Sequence, residues 1–173
     1  MPDDAPGRPV LVRSGSAAET AAVGAALAEV VEAGDVVLLS GPLGAGKTTL
    51  VKGLVAALGD QEPVTSPTFT LVRTYSTRPP IAHVDCWRLD DPSEVAELGI
   101  EEVLDEGGIA VVEWGEIAAP LIGRDALSVE LRPVGTDGEP DARDVTLSAS
   151  GPRSAERLER LAGRLASSGF RRR

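Results

Sequence analysis

Apolar and polar positions along the chain follow two spacings, one typical of helices and one typical of strands. A first helix is predicted from Ser16 to about Ala33, because Ser16 and Glu19 form a capping-box pattern and Gly34 ends the periodic segment. The apolar face of this helix consists of Thr20, Val23, Leu27, Val30 and Val31.

Uninterrupted apolar runs at 36–39 and 109–112 are typical of parallel strands that are buried on both faces. Further strands are predicted at 10–12, 68–75, 81–85, 127–131 and 145–147, and further helices at 49–58, 92–98 and 154–167. Strands that alternate with helices indicate an α/β fold with a mainly parallel central sheet.

The segment Gly41 to Thr48, GPLGAGKT, matches the pattern G-x-x-x-x-G-K-[ST] between a predicted strand and a predicted helix. Its small residues let successive backbone N–H groups point at phosphate oxygens, at the positive end of a helix dipole. Lys47 would reach the β- and γ-phosphates, and the Thr48 hydroxyl would coordinate Mg²⁺. The predicted phosphate-binding residues are Gly41, Gly44, Ala45, Gly46, Lys47, Thr48 and Thr49. The pattern predicts a triphosphate ligand and a three-layer fold like that of P-loop NTPases; the alternative is an ordinary glycine-rich turn.

Two predicted strands end in acidic residues, Asp85 and Glu113. The carboxyl ends of parallel strands lie at the edge of the sheet where the P-loop is also found, so both carboxylates are candidate partners of Mg²⁺ or water. With Lys47 they form the predicted catalytic set, and with Thr48 the predicted metal ligands. Each acid taken singly could equally be a helix cap or a surface residue.

Hydroxyl side chains are concentrated at 65–68, just after the P-loop helix. Other P-loop proteins have a γ-phosphate-sensing loop at this position, and the alternative is a plain Ser-Pro turn. The candidate nucleotide contacts are Thr65, Ser66 and Thr68. His83, the only histidine, precedes Asp85 by two positions and shares its strand face, where it is interpreted first as a packed core residue.

Composition and charge narrow the functional classes. The 173-residue chain carries a net charge of −10, which argues against extensive direct contact with a nucleic-acid backbone. We expect a soluble cytosolic protein, because no apolar run suits a membrane span and the N-terminus lacks the pattern of a signal peptide. The single cysteine, Cys86, excludes an internal disulfide and a cysteine-based zinc site.

One domain is expected over residues 10–168, because a chain of this length can bury a single substantial core. The Pro- and Asp-rich residues 1–9 are predicted to form a flexible tail, and residues 169–173 a basic tail. The basic tail is interpreted as solvated, and the alternative is a local contact for an acidic partner or for RNA.

Several blocks of the sequence occur in the order seen in one bacterial protein family. After the P-loop these are VTSPTFTLV at 64–72, HVDCWRL at 83–89, ELGI at 97–100 and VEWGE at 112–116. On these blocks the chain resembles the TsaE family, also called YjeE, of small ATPases needed for the threonylcarbamoyl modification of adenosine in tRNA. Pro42, Cys86, Trp87 and Gly115 depart from the usual family pattern, without removing a phosphate or metal contact.

The resemblance implies Thr48 and Glu113 as magnesium partners, Asp85 as a catalytic carboxylate near them, and 65–68 as a switch-like segment. It implies ATP as the substrate, ADP as the product and Mg²⁺ as the cofactor. The partners it implies are TsaB and TsaD, with tRNA contacted only indirectly through that complex and no membrane contact. ATP turnover would reset the complex, and the protein would not itself transfer the threonylcarbamoyl group.

Two other functions stay open as alternatives. A small-molecule kinase would use the same P-loop with Arg73, Arg78 or Arg88 near its substrate, although no lid-like segment stands out. A nucleotide-dependent binding module with negligible hydrolysis would share every phosphate contact. A GTPase is disfavoured, because the chain contains no asparagine and therefore lacks the Asn-Lys-x-Asp guanine signature.

Overall fold

The computed structural model describes residues 7–170, so most of the predicted tails at 1–9 and 169–173 lies outside the described residues. The strands are β1 (Val10–Ser14), β2 (Val36–Ser40), β3 (Val72–Tyr75), β4 (Ile81–Asp85), β5 (Ile109–Glu113), β6 (Ala126–Pro133) and β7 (Arg143–Ala149). The helices are α1 (Ala17–Ala28), α2 (Lys47–Ala57), α3 (Pro92–Ala96), α4 (Ile100–Asp105), α5 (Ala119–Ile122) and α6 (Pro152–Ser167). No helix within residues 7–170 combines the length and the apolar character that crossing a membrane requires.

The strands form one seven-stranded sheet in the order β1-β7-β6-β2-β5-β4-β3. The central strands β6, β2, β5 and β4 are paired in parallel. Strands β7 and β3 run in the opposite direction, and β1 pairs antiparallel with β7 and so runs with the central strands. The prediction of an α/β fold with a mainly parallel sheet is confirmed.

Helices cover both faces of the sheet. Alternate residues of β2 point to opposite sides, with Val37 and Leu39 in one buried cluster and Val36 and Leu38 in the other. The first cluster includes apolar residues of α1, α2 and α6, and the second includes residues of α3, α4 and α5. The predicted three-layer architecture is therefore present, and it places α2 on the face that Val37 and Leu39 share.

Helix α1 ends at Ala28, more than a turn earlier than the sequence predicts. Beyond it, the carboxylate of Asp35 accepts a hydrogen bond of 2.8 Å from the N–H of Glu32, which stabilises a turn in place of further helix. Val30 and Val31 are nevertheless buried in the core. Because these turn residues pack on the same core as α1, the apolar spacing continues past the end of the helix. The predicted C-terminal end of α1 is wrong for that reason.

Strand β3 begins at Val72, so the strand predicted from residue 68 is wrong over 68–71. These residues form a turn in which the Leu71 N–H donates to the Pro67 carbonyl at 2.7 Å. Leu71 takes a left-handed conformation with φ of 64°. Thr68, at the start of this turn, donates a hydrogen bond to Asp85, so the segment is held by a side-chain contact and not by strand pairing.

The second helical layer was predicted only in part. Helix α3 starts at the predicted Pro92 but ends at Ala96, and Gly99 with φ of 71° separates it from α4. Helices α4 and α5 have six and four residues and were not predicted. Helices this short carry too few apolar positions to establish a periodic pattern.

Helices α1 and α2 pack with their backbones in close contact at two glycines. A Cβ atom on Gly24 would lie 2.0 Å from the carbonyl oxygen of Leu50, and one on Gly53 would lie 1.8 Å from that of Ala21. Neither position has room for a side chain. Since α2 follows directly from the P-loop, this contact also positions the loop against the core.

We expect Gly53→Ala to lower the free energy of unfolding by about 1–3 kcal/mol, because the added methyl group forces the two helix backbones apart. The matched control is Gly163→Ala in α6, where a Cβ atom would meet nothing within 4 Å. That change should raise stability by up to about 1 kcal/mol through helix propensity alone. Thermal or urea unfolding measures both, and equal gains in the two variants would contradict the close helix contact.

Candidate functional site

The P-loop joins the end of β2 to the start of α2 and depends on glycine at three positions. Gly41, Gly44 and Gly46 have φ angles of 135°, 75° and 106°, all in the region that disfavours other residues. A Cβ atom on Gly41 would also lie 2.3 Å from the carbonyl oxygen of Leu131 in β6. The loop therefore keeps its path only with these residues, and α2 starts at Lys47 with its N-terminus beside the loop.

The Lys47 side chain is buried within the loop that precedes it. Its Nζ donates hydrogen bonds to the carbonyl oxygens of Gly41 at 2.7 Å and Pro42 at 3.0 Å. The same atom lies 4.2 Å from the ring centroid of Trp114, a cation–π distance. The ammonium group is thus held at the concave side of the P-loop.

Burial lowers the pKa of Lys47 below its ordinary value, and the negative charges of Glu113, Asp85 and Glu116 oppose this shift. Desolvation is the larger effect, so the charged ammonium is less favoured here than in water. A phosphate oxygen beside Nζ would compensate for the lost hydration.

Thr48 and Glu113 come together across 65 residues of sequence. The Thr48 hydroxyl donates to Oε1 of Glu113 at 3.1 Å, which links the first turn of α2 to the end of β5. The same carboxylate oxygen lies 2.8 Å from Nε2 of His83, a fully buried side chain on β4. Glu113 is itself buried, so its orientation is set by these two neighbours.

Asp85 lies at the end of β4, directly beside Glu113 in the parallel register. Its Oδ2 accepts hydrogen bonds from the hydroxyls of Ser66 at 2.7 Å and Thr68 at 3.1 Å. Its Oδ1 accepts one from the N–H of Trp87 at 2.9 Å. The predicted switch-like segment is therefore tied to a carboxylate at the same sheet edge as the P-loop.

These groups surround one open cleft of about 290 Å³. Its lining residues are Leu43, Gly44, Ala45, Gly46, Lys47, Thr48, Thr49, Ser66, Thr68, Asp85, Trp87, Glu113 and Trp114. Among the predicted site residues, Gly41 and Thr65 are not in this lining. Gly41 forms the base of the loop under Lys47, and the Thr65 hydroxyl accepts a hydrogen bond of 2.9 Å from Arg73 on the outer side of the segment.

The chemistry of the cleft fits a magnesium ion bound together with a phosphate. Thr48, Asp85 and Glu113 offer hydroxyl and carboxylate oxygens, the ligand type that Mg²⁺ prefers. Within residues 7–170, no group of three or more His, Cys, Asp or Glu side chains is arranged to hold a metal alone. A magnesium ion in this cleft would therefore need phosphate oxygens and water as further ligands, as is usual for Mg²⁺ in nucleotide sites.

Two residues that the sequence did not single out as site residues also contact the P-loop. Arg143, at the start of β7, donates from Nε to the carbonyl oxygen of Ala45 at 3.0 Å and also reaches that of Gly44 at 3.4 Å. Trp114 carries the ring under Lys47 and has a left-handed φ of 57°. The block VEWGE pointed to the segment of Trp114, whereas Arg143 lies in a hairpin with no motif.

Large apolar side chains are exposed at or near the cleft: Leu43 and Trp87 line it, and Phe69 follows the lining residue Thr68 in sequence. Leu43 and Phe69 are each 84% exposed and Trp87 is 52% exposed. The Trp87 ring packs against that of Trp114 with centroids 4.5 Å apart, and the Arg88 guanidinium lies 4.7 Å from the ring centroid of Phe69. We call Leu43, Phe69 and Trp87 the apolar rim.

Cys86 directly follows the candidate catalytic residue Asp85, but its buried thiol is unreactive. Burial, assisted by the negative charge of Asp85, raises the pKa of Cys86 to about 11. The thiol is therefore protonated near neutral pH and is not a nucleophile of this cleft.

A glycine-rich loop between β2 and α2, with acids at the ends of two neighbouring parallel strands, defines an α/β protein of the P-loop NTPase-like class. Within this class, the sequence matches one known family. The family model described as "Threonylcarbamoyl adenosine biosynthesis protein TsaE" matches residues 14–141. The chain belongs to the TsaE family.

Individual relatives agree with this assignment. Proteins named tRNA threonylcarbamoyladenosine biosynthesis protein TsaE are 40% identical in Treponema pallidum, over 78% of this chain and 97% of that protein, and 35% identical in Bacillus subtilis, over 83% and 87%. The relative from Mycobacterium tuberculosis is 43% identical over 67% of this chain and 74% of its own length. The crystal structure of Bacillus subtilis YdiB matches with a TM-score of 0.74 and 29% identity, covering 94% of this chain and 97% of that one.

Proposed function

We propose that this chain is a Mg²⁺-dependent ATPase that supports threonylcarbamoyl modification of adenosine in tRNA by acting on a TsaB–TsaD complex. Family membership supports the pathway, and the cleft supports the reaction. The observation that carries the reaction is the hydrogen bond between the Thr48 hydroxyl and Glu113, directly beside Lys47 and the P-loop. It places the hydroxyl that would bind the metal against a carboxylate, next in sequence to the amine that would bind the phosphates.

Each residue has a definite task in the hydrolysis of ATP and water to ADP and phosphate. The P-loop N–H groups and Lys47 bind and orient the β- and γ-phosphates. Thr48 and Glu113 would hold the metal ion, which would supply charge neutralisation on the phosphate oxygens. Asp85, opposite Glu113 in the strand register, would act as a carboxylate beside the bound phosphates, and Ser66 and Thr68 couple the switch-like segment to it.

The proposed action on a protein complex draws support from the surface of the cleft. The apolar rim, two of whose residues line the cleft, supports a protein contact, because exposed large apolar side chains beside a site favour burial against a partner. A net charge of −10 disfavours direct binding to tRNA. Partner docking next to the nucleotide would let the partner change its turnover.

The test is Mg²⁺-dependent ATP hydrolysis by the purified chain, alone and with its cognate TsaB–TsaD pair. We expect slow basal hydrolysis that rises severalfold when the pair is added. Phe69→Ser should reduce the stimulation while leaving basal hydrolysis intact, because Phe69 is exposed and does not line the cleft. ATP binding without hydrolysis in either condition would favour a passive nucleotide module, and phosphate transfer in an acceptor screen would favour a kinase.

A further inference from the structure

His83 is a buried polar side chain for which neither family membership nor the proposed reaction supplies a task. It lies at the centre of the five-residue strand β4, between β3 and β5, and its side chain is fully buried. An apolar residue would fill such a position without the cost of burying a polar ring. The hydrogen bonds of the ring therefore indicate its purpose.

The ring directs one hydrogen bond at Glu113. Nε2 lies 2.8 Å from Oε1 of that residue, and since a carboxylate can only accept, Nε2 carries the hydrogen. The other nitrogen, Nδ1, has no hydrogen-bond partner among residues 7–170. The Tyr75 ring lies near the His83 ring, at a centroid distance of 6.2 Å. Within the described residues, the side chain of His83 therefore makes its hydrogen bond to Glu113 alone.

The strand register explains why this contact is well placed. In the parallel pair β4–β5, His83 lies opposite Val111, while Asp85 lies opposite Glu113. His83 and Asp85 share a face of β4, so His83 lies one step below the two acids, on the core side of the cleft. From this position its Nε2 contacts Oε1 of Glu113, the same oxygen that accepts a hydrogen bond from the Thr48 hydroxyl.

We propose that His83 is a positioning residue: its Nε2–H fixes Oε1 of Glu113 against the Thr48 hydroxyl, so that the carboxylate is oriented before nucleotide and metal bind. This inference rests on the proposed ATPase function and assigns a residue to the same site. A Glu side chain has three rotatable bonds, and a second donor on one oxygen removes that freedom in advance.

The experiment compares two amides of different reach. Gln at position 83 can place its N–H near the Nε2 position, whereas Asn is too short to reach Oε1. We expect His83→Asn to raise the Mg²⁺ concentration for half-maximal hydrolysis and to lower kcat, together by about 10- to 100-fold, the usual cost of losing a partner that orients a metal ligand. His83→Gln should retain most of the activity, and ATP affinity without Mg²⁺ should be the same in both.

The control for simple loss of stability is Ile81→Ala, on the same strand and the same face as His83 and equally buried. It should lower the melting temperature without changing the Mg²⁺ dependence. A His83→Asn variant with the Mg²⁺ dependence of the wild type, or an Ile81→Ala variant with the same shift as His83→Asn, overturns the positioning role. A wild-type protein that neither binds nor hydrolyses ATP with Mg²⁺ overturns the proposed function and this inference with it.

Discussion

Replacing Lys47 by alanine is expected to weaken ATP binding by about ten- to a hundredfold. The Nζ atom lies inside the P-loop, bonded to the carbonyl oxygens of Gly41 and Pro42, and a bound triphosphate would take over its hydrogen bonds. A hydrogen bond that involves a charged group contributes roughly 1.5–3 kcal/mol, and each 1.4 kcal/mol or so is a tenfold change in affinity. Calorimetric titration with ATP measures the effect directly.

The chain supplies its own control for this change. Lys52 is the only other lysine and lies on the same helix, but it is exposed and outside the cleft. Lys52→Ala removes the same charge from the protein and should leave ATP affinity within about twofold, since exposed charges contribute little. Unchanged affinity in a folded Lys47→Ala variant, or equal losses in both variants, would disprove the phosphate-binding role of the P-loop.

The sequence was sufficient for the central strands and the P-loop because their signals are local. Strands β2 and β5 are continuous apolar runs, and such runs are stable in a sheet only when both faces are covered. The glycines of the P-loop are required by backbone angles and by the approach of Leu131, so the motif and the geometry coincide. The fold class, the arrangement of helices on both faces of the sheet and the approximate location of the site follow from these elements.

The contacts that tie the site together could not be read from the sequence. Arg143 meets the P-loop only because the β6–β7 hairpin folds over it, and Ser66 meets Asp85 only because the segment before β3 turns where alternation suggested a strand. Both contacts depend on tertiary packing across distant parts of the chain. A sequence pattern reports local preference, and it carries no information on which distant polar groups will meet.

His83 is a further residue whose contact could not be predicted from the sequence. Its position two residues before Asp85 was visible in the sequence, and so was its shared strand face. The pairing of β4 with β5, which brings it to Glu113, was not. The interpretation as a packed strand histidine describes its burial correctly and omits the hydrogen bond that the fold adds.

Replacing Glu113 by glutamine should lower Mg²⁺-dependent ATP turnover by about 10²–10³-fold, the usual cost of removing one group that stabilises transition-state charge in a preorganised site. Glutamine keeps the size of the side chain and an oxygen that can accept from Thr48 and His83, so the change removes mainly the negative charge. ATP binding without Mg²⁺ should be retained or slightly strengthened, because the charge that faces the phosphates is gone. Steady-state hydrolysis over a range of Mg²⁺ concentrations, with ATP affinity measured separately, resolves the two effects.

Glu116→Gln is the matched control, because it removes the same charge three positions further on from an exposed side chain outside the cleft lining. Its negative charge also acts on Lys47, so the control includes the general electrostatic effect of losing an acid near the amine. If turnover and Mg²⁺ dependence fall only in Glu113→Gln, the carboxylate acts through its position beside Thr48. If both are unchanged in a folded Glu113→Gln variant, the catalytic assignment of Glu113 is wrong, and Asp85 becomes the carboxylate to replace next.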